Sequence, residues 1–393
     1  MIRKVKFNNF YSFYKDQEIS FLSKKKKTYD YYQSESGDQI TKIASFIGSN
    51  ASGKTNVMRL FSFLGYFVCR EIDNQPQFVP DFAYKPFFNN DEPSDFSIEF
   101  EKDNNIFFYT FSIKKKVILN ESLSLKSIDK GSRRVEIFSR EEGIVKNLNK
   151  TYFKNLSKSN LPKIREDISF ITFIKKSLYS VDMINEVYDY FSGFKTNINE
   201  LGVINDMAHQ VRILNIYLTD ETIKEEAENF IKHFDIGLSG FVIKKENRDN
   251  GFTISVQGIH QNKIKDNKLP FAYESRGTQY LFFVMANILS ALKNNNVIII
   301  DEFESGFHPE ALNKLISYFI EKNKDKKAQI IFSSHSLGFM NKLDMHQIFL
   351  VDKNNNGESL IHRLNKIKNI RPDENFLARY MSGAYGAFPK IRT

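Results

Sequence analysis

Residues 48–55 read Gly-Ser-Asn-Ala-Ser-Gly-Lys-Thr. The two glycines permit backbone angles that point successive N–H groups inward at an anion. A lysine followed by a hydroxyl residue adds a cation and a metal ligand. This is phosphate-binding chemistry, a P-loop. Gly48, Ser49, Asn50, Ala51, Ser52 and Gly53 would wrap the phosphates of ATP. Lys54 would reach the β- and γ-phosphates, and Thr55 would ligate Mg²⁺. Asn56 continues the set into a helix whose positive end faces the anion.

Three further stretches carry chemistry. Val297-Ile298-Ile299-Ile300-Asp301-Glu302 is an apolar run ending in two acids. Adjacent buried carboxylates repel unless a cation joins them, so a metal is expected. Asp301 would hold Mg²⁺ through water, and Glu302 would polarise the attacking water. Glu274-Ser275-Arg276-Gly277-Thr278-Gln279 precedes a helical pattern. Ser and Gly at a helix start form an anion site or simply an N-cap. Gln329-Ile330-Ile331-Phe332-Ser333-Ser334-His335 ends in two hydroxyls and a histidine, 34 residues after Asp301. One helix plus one strand fits that interval, so the two apolar strands should lie side by side, with His335 near a γ-phosphate.

These groups need a frame. Ile43 to Ile47 reads as a strand entering the glycine loop, and Val57 to Phe67 repeats apolar residues at helical spacing. Helices are predicted over Thr219–His233, Thr278–Lys293 and Ala311–Lys322, with Thr219 or Asp220 as N-cap of the first. Buried strands are predicted at Val297–Ile300, Ala328–Phe332 and Ile348–Val351. This alternation indicates a mainly parallel sheet. The chain opens as strand, Asn8-Asn9 turn, and a second strand from Phe10 to Phe21. Alternation over 96–128 predicts a β-meander, and 241–256 a hairpin around Asn247 to Gly251. Residues 130–200 show no clear pattern. Lys24 to Lys27 reads as a solvated loop.

The 393 residues carry a formal charge of +9. That surplus suits nucleic-acid binding, although a lysine-rich composition alone produces it. A single cysteine, Cys69, excludes a disulfide framework within the chain and fits a reducing cytoplasm. The N-terminus has no signal-like apolar run, and no stretch is long and apolar enough to span a membrane.

The order of these motifs resembles that of ABC-type ATPases, including the SMC-like and RecF-like repair proteins. Ser275 and Gly277 match the signature serine and glycine of that group, with Arg276 in place of its first glycine. Thr278 follows them. Asp301 and Glu302 match Walker B, Ser305-Gly306-Phe307-His308 falls at the D-loop, and His335 matches the switch histidine. Gln75 and Gln77 are the candidates for the Q-loop. A closer resemblance is to defence-associated ATPases related to the ATPase half of the OLD nucleases. It rests on Asp301-Glu302-Phe303-Glu304-Ser305-Gly306-Phe307-His308-Pro309 and on Tyr380-Met381-Ser382-Gly383-Ala384-Tyr385-Gly386-Ala387-Phe388-Pro389. Pro93 to Phe100 also looks like that group. The similarity extends to ATPase subunits of PARIS, Septu and AbiL-type abortive-infection systems.

The resemblance implies an α/β fold of the ABC-ATPase kind, with a mixed N-terminal sheet, a parallel core sheet and an inserted helical subdomain. The expected division is an N-terminal lobe over 1–130, an inserted region over 131–265 and a C-terminal lobe over 266–393. It implies composite ATP sites between two copies, with Ser275, Arg276, Gly277 and Thr278 serving the partner's nucleotide. Only 58 residues follow His335, so a nuclease is expected on another polypeptide. The implied role is a cytoplasmic anti-phage regulator, with DNA or a phage protein as trigger. A RecF-like or SMC-like genome-maintenance ATPase and a non-hydrolysing scaffold are the alternatives. The separation of 220 positions from Thr55 to Ser275 argues against a transporter ATPase.

Overall fold

The computed structural model describes the chain except residues 24–27, 71–83, 130, 163, 200, 205–206, 235–236, 249–250, 262–265, 307 and 388–393. The Lys24–Lys27 run, the Q-loop candidates Gln75 and Gln77, Phe307, Phe388 and Pro389 therefore lie outside the described residues.

The functional end is organised by one six-stranded sheet. Its order is Lys195–Thr196, Val297–Ile300, Gln329–Ser334, Ile43–Ile47, Ile348–Lys353 and Ser359–Arg363. The first five run parallel and the last is antiparallel. Parallel strands need crossovers, which put helices on both faces, so such strands are apolar throughout. The alternating side chains sort accordingly. Ala44, Phe46, Val297, Ile299, Ile331 and Phe349 join one hydrophobic cluster, whereas Ile43, Ile47, Ile298, Ile300, Ile330 and Phe332 join another. The expected neighbouring of the acid strand and the histidine strand is present in register, Ile300 opposite Phe332.

The first face is covered by the helix Lys54–Cys69, which is itself roofed by a second sheet. That sheet has seven strands in the order Ile144–Leu148, Val135–Glu141, Val117–Ser127, Asn105–Lys114, Ser94–Lys102, Ile2–Phe7 and Gln17–Ser20. Phe67 stacks on Phe111 with ring centroids 4.0 Å apart, and Phe63 lies 5.1 Å from Phe96. Buried phenylalanines thus fix the P-loop helix between two sheets. The N-terminal sheet, expected to be mixed, pairs antiparallel throughout. Short turns join successive strands of its meander, and a two-residue turn can only return the chain antiparallel.

The second opening strand is shorter than expected. Residues 10–13 form a tight turn in which Phe10 and Phe13 exchange backbone hydrogen bonds of 2.8 and 2.9 Å. Asn9 and Tyr11 adopt positive φ there, and the buried Phe10 and Phe13 rings both enter the core. Pairing resumes only at Gln17.

Residues 131–265 divide between the two faces. The hairpin Val135–Glu141/Ile144–Leu148 extends the meander, and the helices Phe170–Lys176 and Asp182–Ser192 pack beside the P-loop helix. Their anchor is a buried charge cluster. Arg140 Nε donates to Glu121 Oε2 at 2.6 Å, Tyr109 donates to Glu121 Oε1 at 2.7 Å, and the Phe170 N–H also donates to Glu121. On the other face, the helices Met207–Thr219 and Glu221–Ile231 cover the helix Arg276–Asn294, with Tyr217 donating to the Phe282 carbonyl at 2.5 Å. Asp220 is the N-cap of the second, accepting from the Ile223 N–H. The hairpin Leu238–Arg248/Gly251–Gln261 and the strand Asp266–Pro270 complete this face.

Glu121 and Arg140 are each nearly fully buried, so truncating one leaves an uncompensated charge. Arg140→Met should lower stability by about 3–5 kcal/mol. Urea unfolding followed by circular dichroism checks this; a loss below about 1 kcal/mol would show that the cluster is not the anchor.

Candidate functional site

The P-loop lies at the carboxyl end of its strand, the usual place for ligands in parallel sheets. Three residues set its shape. A Cβ on Gly48 would stand 2.1 Å from the Val351 carbonyl oxygen, which belongs to the adjacent strand. Gly53 has φ +115 and a Cβ there would stand 2.5 Å from Ser359 Oγ. Ala51 also has positive φ. Both glycines are required, one for close approach and one for the left-handed turn. Ser359 buttresses the loop from outside: its Oγ donates to the Ser52 carbonyl at 2.6 Å and is paired with Ser12 Oγ at 2.8 Å.

Inside the cradle, Lys54 Nζ donates to the carbonyls of Gly48 and Ser49, each at 2.9 Å. Burial lowers its pKa to about 8, against the attraction of Asp301, Glu304 and Glu302. The helix beginning at Lys54 has no side-chain cap, so its first N–H groups are left for a ligand. Ser52 Oγ is buried without a hydrogen-bond partner. Thr55 is half-buried in the first turn. Asn56 serves the scaffold instead, donating to Ser12 Oγ at 2.8 Å and accepting from Arg59 at 2.7 Å.

Asp301 is buried at the end of its strand, and its Oδ1 accepts from Ser333 Oγ at 2.5 Å. The same Ser333 oxygen accepts the Glu302 N–H at 2.9 Å. Glu302 has φ +50, a conformation uncommon for a residue with a side chain, and it is exposed. His335 follows the neighbouring strand and is exposed; its N–H donates to Glu304 Oε1 at 2.6 Å. The P-loop strand, Asp301, Glu302 and His335 are therefore brought to one sheet end.

The residues expected to form the signature stand apart. Ser275 caps the helix Arg276–Asn294, with its Oγ accepting from the Thr278 N–H at 3.1 Å and paired with Thr278 Oγ1 at 2.8 Å. A groove lined by Ser275, Arg276, Gly277, Thr278, Gly306 and His308 contains no residue of the P-loop. Gly306 approaches that helix start closely, within 3.6 Å of the Arg276 carbonyl measured from a Cβ position. Ser305 donates its N–H to the Glu302 carbonyl at 2.8 Å, so the turn links the acids to the groove.

One residue escaped the sequence reading. Asn197 follows the edge strand Lys195–Thr196, which pairs with the acid strand. Its Oδ1 accepts the Asp301 N–H at 2.8 Å and its Nδ2 donates to the Asp301 carbonyl at 3.0 Å. A lone Asn after a two-residue strand gives no sequence signal; only the topology reveals it.

Among the described residues no three His, Cys, Asp or Glu side chains converge to hold a metal. Mg²⁺ fits nonetheless, because it keeps waters and takes phosphate oxygens, needing few protein ligands. Thr55 and Asp301 would hold it, beside the crowded glycines and the unpartnered Ser52 hydroxyl.

Several known proteins are similar to this chain. A protein of Helicobacter pylori named ATP/GTP phosphatase is 21% identical over 337 residues, covering 81% of this chain and 86% of that protein. An SMC head bound to the C-winged helix domain of ScpA covers 92% of this chain and 97% of its own, at 13% identity and a TM-score of 0.48. The SMC head domain from Thermotoga maritima covers 92% and 98%, at 13% identity and a TM-score of 0.42. The model of a family described as "AAA domain, putative AbiEii toxin, Type IV TA system" matches residues 43–341, from the P-loop strand past the histidine loop. The chain is a P-loop ATPase, and it belongs to this AAA-domain family.

Proposed function

We propose that two copies of this chain sandwich ATP, and that the closed pair regulates a separate effector, such as a nuclease, in an anti-phage or abortive-infection system. The observation that carries the pairing is the separation of two half-sites. The P-loop, Asp301, Glu302 and His335 share one sheet end, whereas Ser275 and Gly277 open into a groove without any P-loop residue. A second copy would bring its helix start to the first copy's γ-phosphate. The family's description as a putative toxin of a toxin–antitoxin system supports the defence setting.

ATP would enter with its phosphates against the N–H groups of 48–55, and Lys54 would leave its loop carbonyls for phosphate oxygens. Mg²⁺ bound by Thr55 and Asp301 would neutralise charge on the phosphates. Glu302 would accept a proton from the water attacking the γ-phosphorus, giving ADP and phosphate. Asn197 and Ser333 keep Asp301 and Glu302 in place. Closure follows from contacts that ATP makes to both copies, and hydrolysis removes them.

Gly48→Ala should weaken ATP binding more than about tenfold, since the clash is with backbone. Fluorescence titration with a labelled ATP measures it; wild-type affinity would refute the cradle. Glu302→Gln should slow turnover by about 100-fold or more and accumulate an ATP-bound dimer. Phosphate release and light scattering give both readouts, and wild-type turnover would remove Glu302 from its role. Ser275→Asp keeps a good N-cap but places a charge facing phosphate. It should bind ATP as a monomer; an ATP-dependent dimer of this variant would exclude the sandwich. Turnover stimulated by DNA in a salt-dependent way, with no response to an effector, would favour the genome-maintenance alternative.

A further inference from the structure

The serine that buttresses the glycine loop belongs to a longer row of polar contacts. Arg59 Nη1 donates to Asn56 Oδ1 at 2.7 Å, and Asn56 Nδ2 donates to Ser12 Oγ at 2.8 Å. Ser12 Oγ is paired with Ser359 Oγ at 2.8 Å, and Ser359 Oγ donates to the Ser52 carbonyl at 2.6 Å. Ser12 sits in the Phe10–Phe13 turn, and its carbonyl accepts the Ser359 N–H at 2.7 Å. Arg59 lies over the ring of Tyr11 in the same turn, 5.1 Å from its centroid. Gly53 leaves room for both hydroxyls: a Cβ there would stand 2.5 Å from Ser359 Oγ and 2.9 Å from Ser12 Oγ.

The two ends of this row fix every proton in it. A guanidinium only donates and a carbonyl only accepts. Arg59 therefore turns the Asn56 oxygen towards itself and leaves the amide N–H₂ for Ser12. Ser359 has one hydroxyl proton and gives it to Ser52. Ser12 must then supply the proton that it shares with Ser359. All four bonds point the same way, from a cation to one peptide carbonyl. Aligned hydrogen bonds polarise one another, and a charged first donor strengthens them. The peptide they end on belongs to the phosphate cradle. In a trans peptide the N–H points away from the C=O, so a carbonyl held from outside by Ser359 leaves the Gly53 N–H facing the loop's interior.

We propose that Arg59, Asn56, Ser12 and Ser359 form a one-way hydrogen-bond relay that polarises the Ser52–Gly53 peptide, so that the Gly53 N–H binds a phosphate of ATP more strongly than an ordinary amide does. All four are positioning residues that act through Gly53. The relay rests on the ATP site described above and not on the pairing of two copies. It gives the Phe10–Phe13 turn a duty beyond packing: the turn brings a hydroxyl from the N-terminal sheet into the wall of the phosphate cradle.

Nuclear magnetic resonance of the nucleotide-free, full-length chain reads the relay directly. Labelling with ¹³C′-serine and ¹⁵N-glycine selects the Ser–Gly pairs, and the Ser52–Gly53 signal is the one lost in Ser52→Ala. Ser12 and Arg59 are half-buried, so Ser12→Ala and Arg59→Met leave the core intact. In both variants the Gly53 amide proton should move upfield, although three side chains separate Arg59 from the Ser52 carbonyl. A Gly53 signal that stays in place in both overturns the relay. Anisotropy of a fluorescent ATP analogue in excess Mg²⁺ gives the second readout. Ser12→Ala, Arg59→Met and Ser359→Ala should each lose about fivefold in affinity. Arg59→Met combined with Ser359→Ala should lose no more than Ser359→Ala alone, because one break interrupts a series; losses that multiply overturn the relay. Lys54→Ala distinguishes the failures: if it binds the analogue like wild type, the ATP-site reading falls, while the nucleotide-free Gly53 signal still reports on the relay.

Discussion

The parallel alignment of three strands, Ile43–Ile47, Gln329–Ser334 and Val297–Ile300, governs the whole molecule. Parallel neighbours end at the same edge, so the glycine loop, the histidine and the acid pair must emerge together. Burial on both faces then forces crossovers, and the crossovers become the P-loop helix, the helix Arg276–Asn294 and the helix Pro309–Lys322. Ser333 locks this edge at the level of single atoms. Its one hydroxyl donates to Asp301 and accepts from Glu302, tying the ends of adjacent strands.

The two faces of that sheet have different tasks. The face under the P-loop helix is closely packed: phenylalanines from the helix and the meander interlock, and the Arg140–Glu121 pair fastens the adjoining helices. The opposite face carries the helix Arg276–Asn294, the helices Met207–Thr219 and Glu221–Ile231, and the three-stranded hairpin sheet. His260 on that sheet pairs with Glu274 at 2.9 Å, directly before Ser275.

Much of this was legible in the sequence, for a physical reason. Strands buried on both faces are continuous apolar runs, and the chemistry sits at their ends, so Ile43–Ile47 led to Lys54 and Val297–Ile300 led to Asp301. Of the two N-cap candidates, Thr219 and Asp220, the cap is Asp220, and the alternation of Phe96, Ile98 and Phe100 was direct. What stayed hidden depends on tertiary contact. The Phe10–Phe13 turn looked like a strand because both rings are buried, and residues 130–200 had no single period because they serve several neighbours. Asn197 reaches Asp301 from 104 positions away, which no local pattern encodes. Ser275 had two readings, N-cap and anion site; its hydroxyl is engaged as an N-cap within the chain, while its groove faces outward.

Position 302 has a consequence for how this protein can be improved. A side chain held at φ +50 costs roughly 1 kcal/mol that glycine would not incur. Selection for heat resistance alone would therefore favour glycine or asparagine there, and would remove the carboxylate that the proposed mechanism assigns to the attacking water. On that assignment folding and chemistry pull against each other at this one backbone angle. A stabilised variant of this protein is best screened for turnover before it is trusted for its melting temperature.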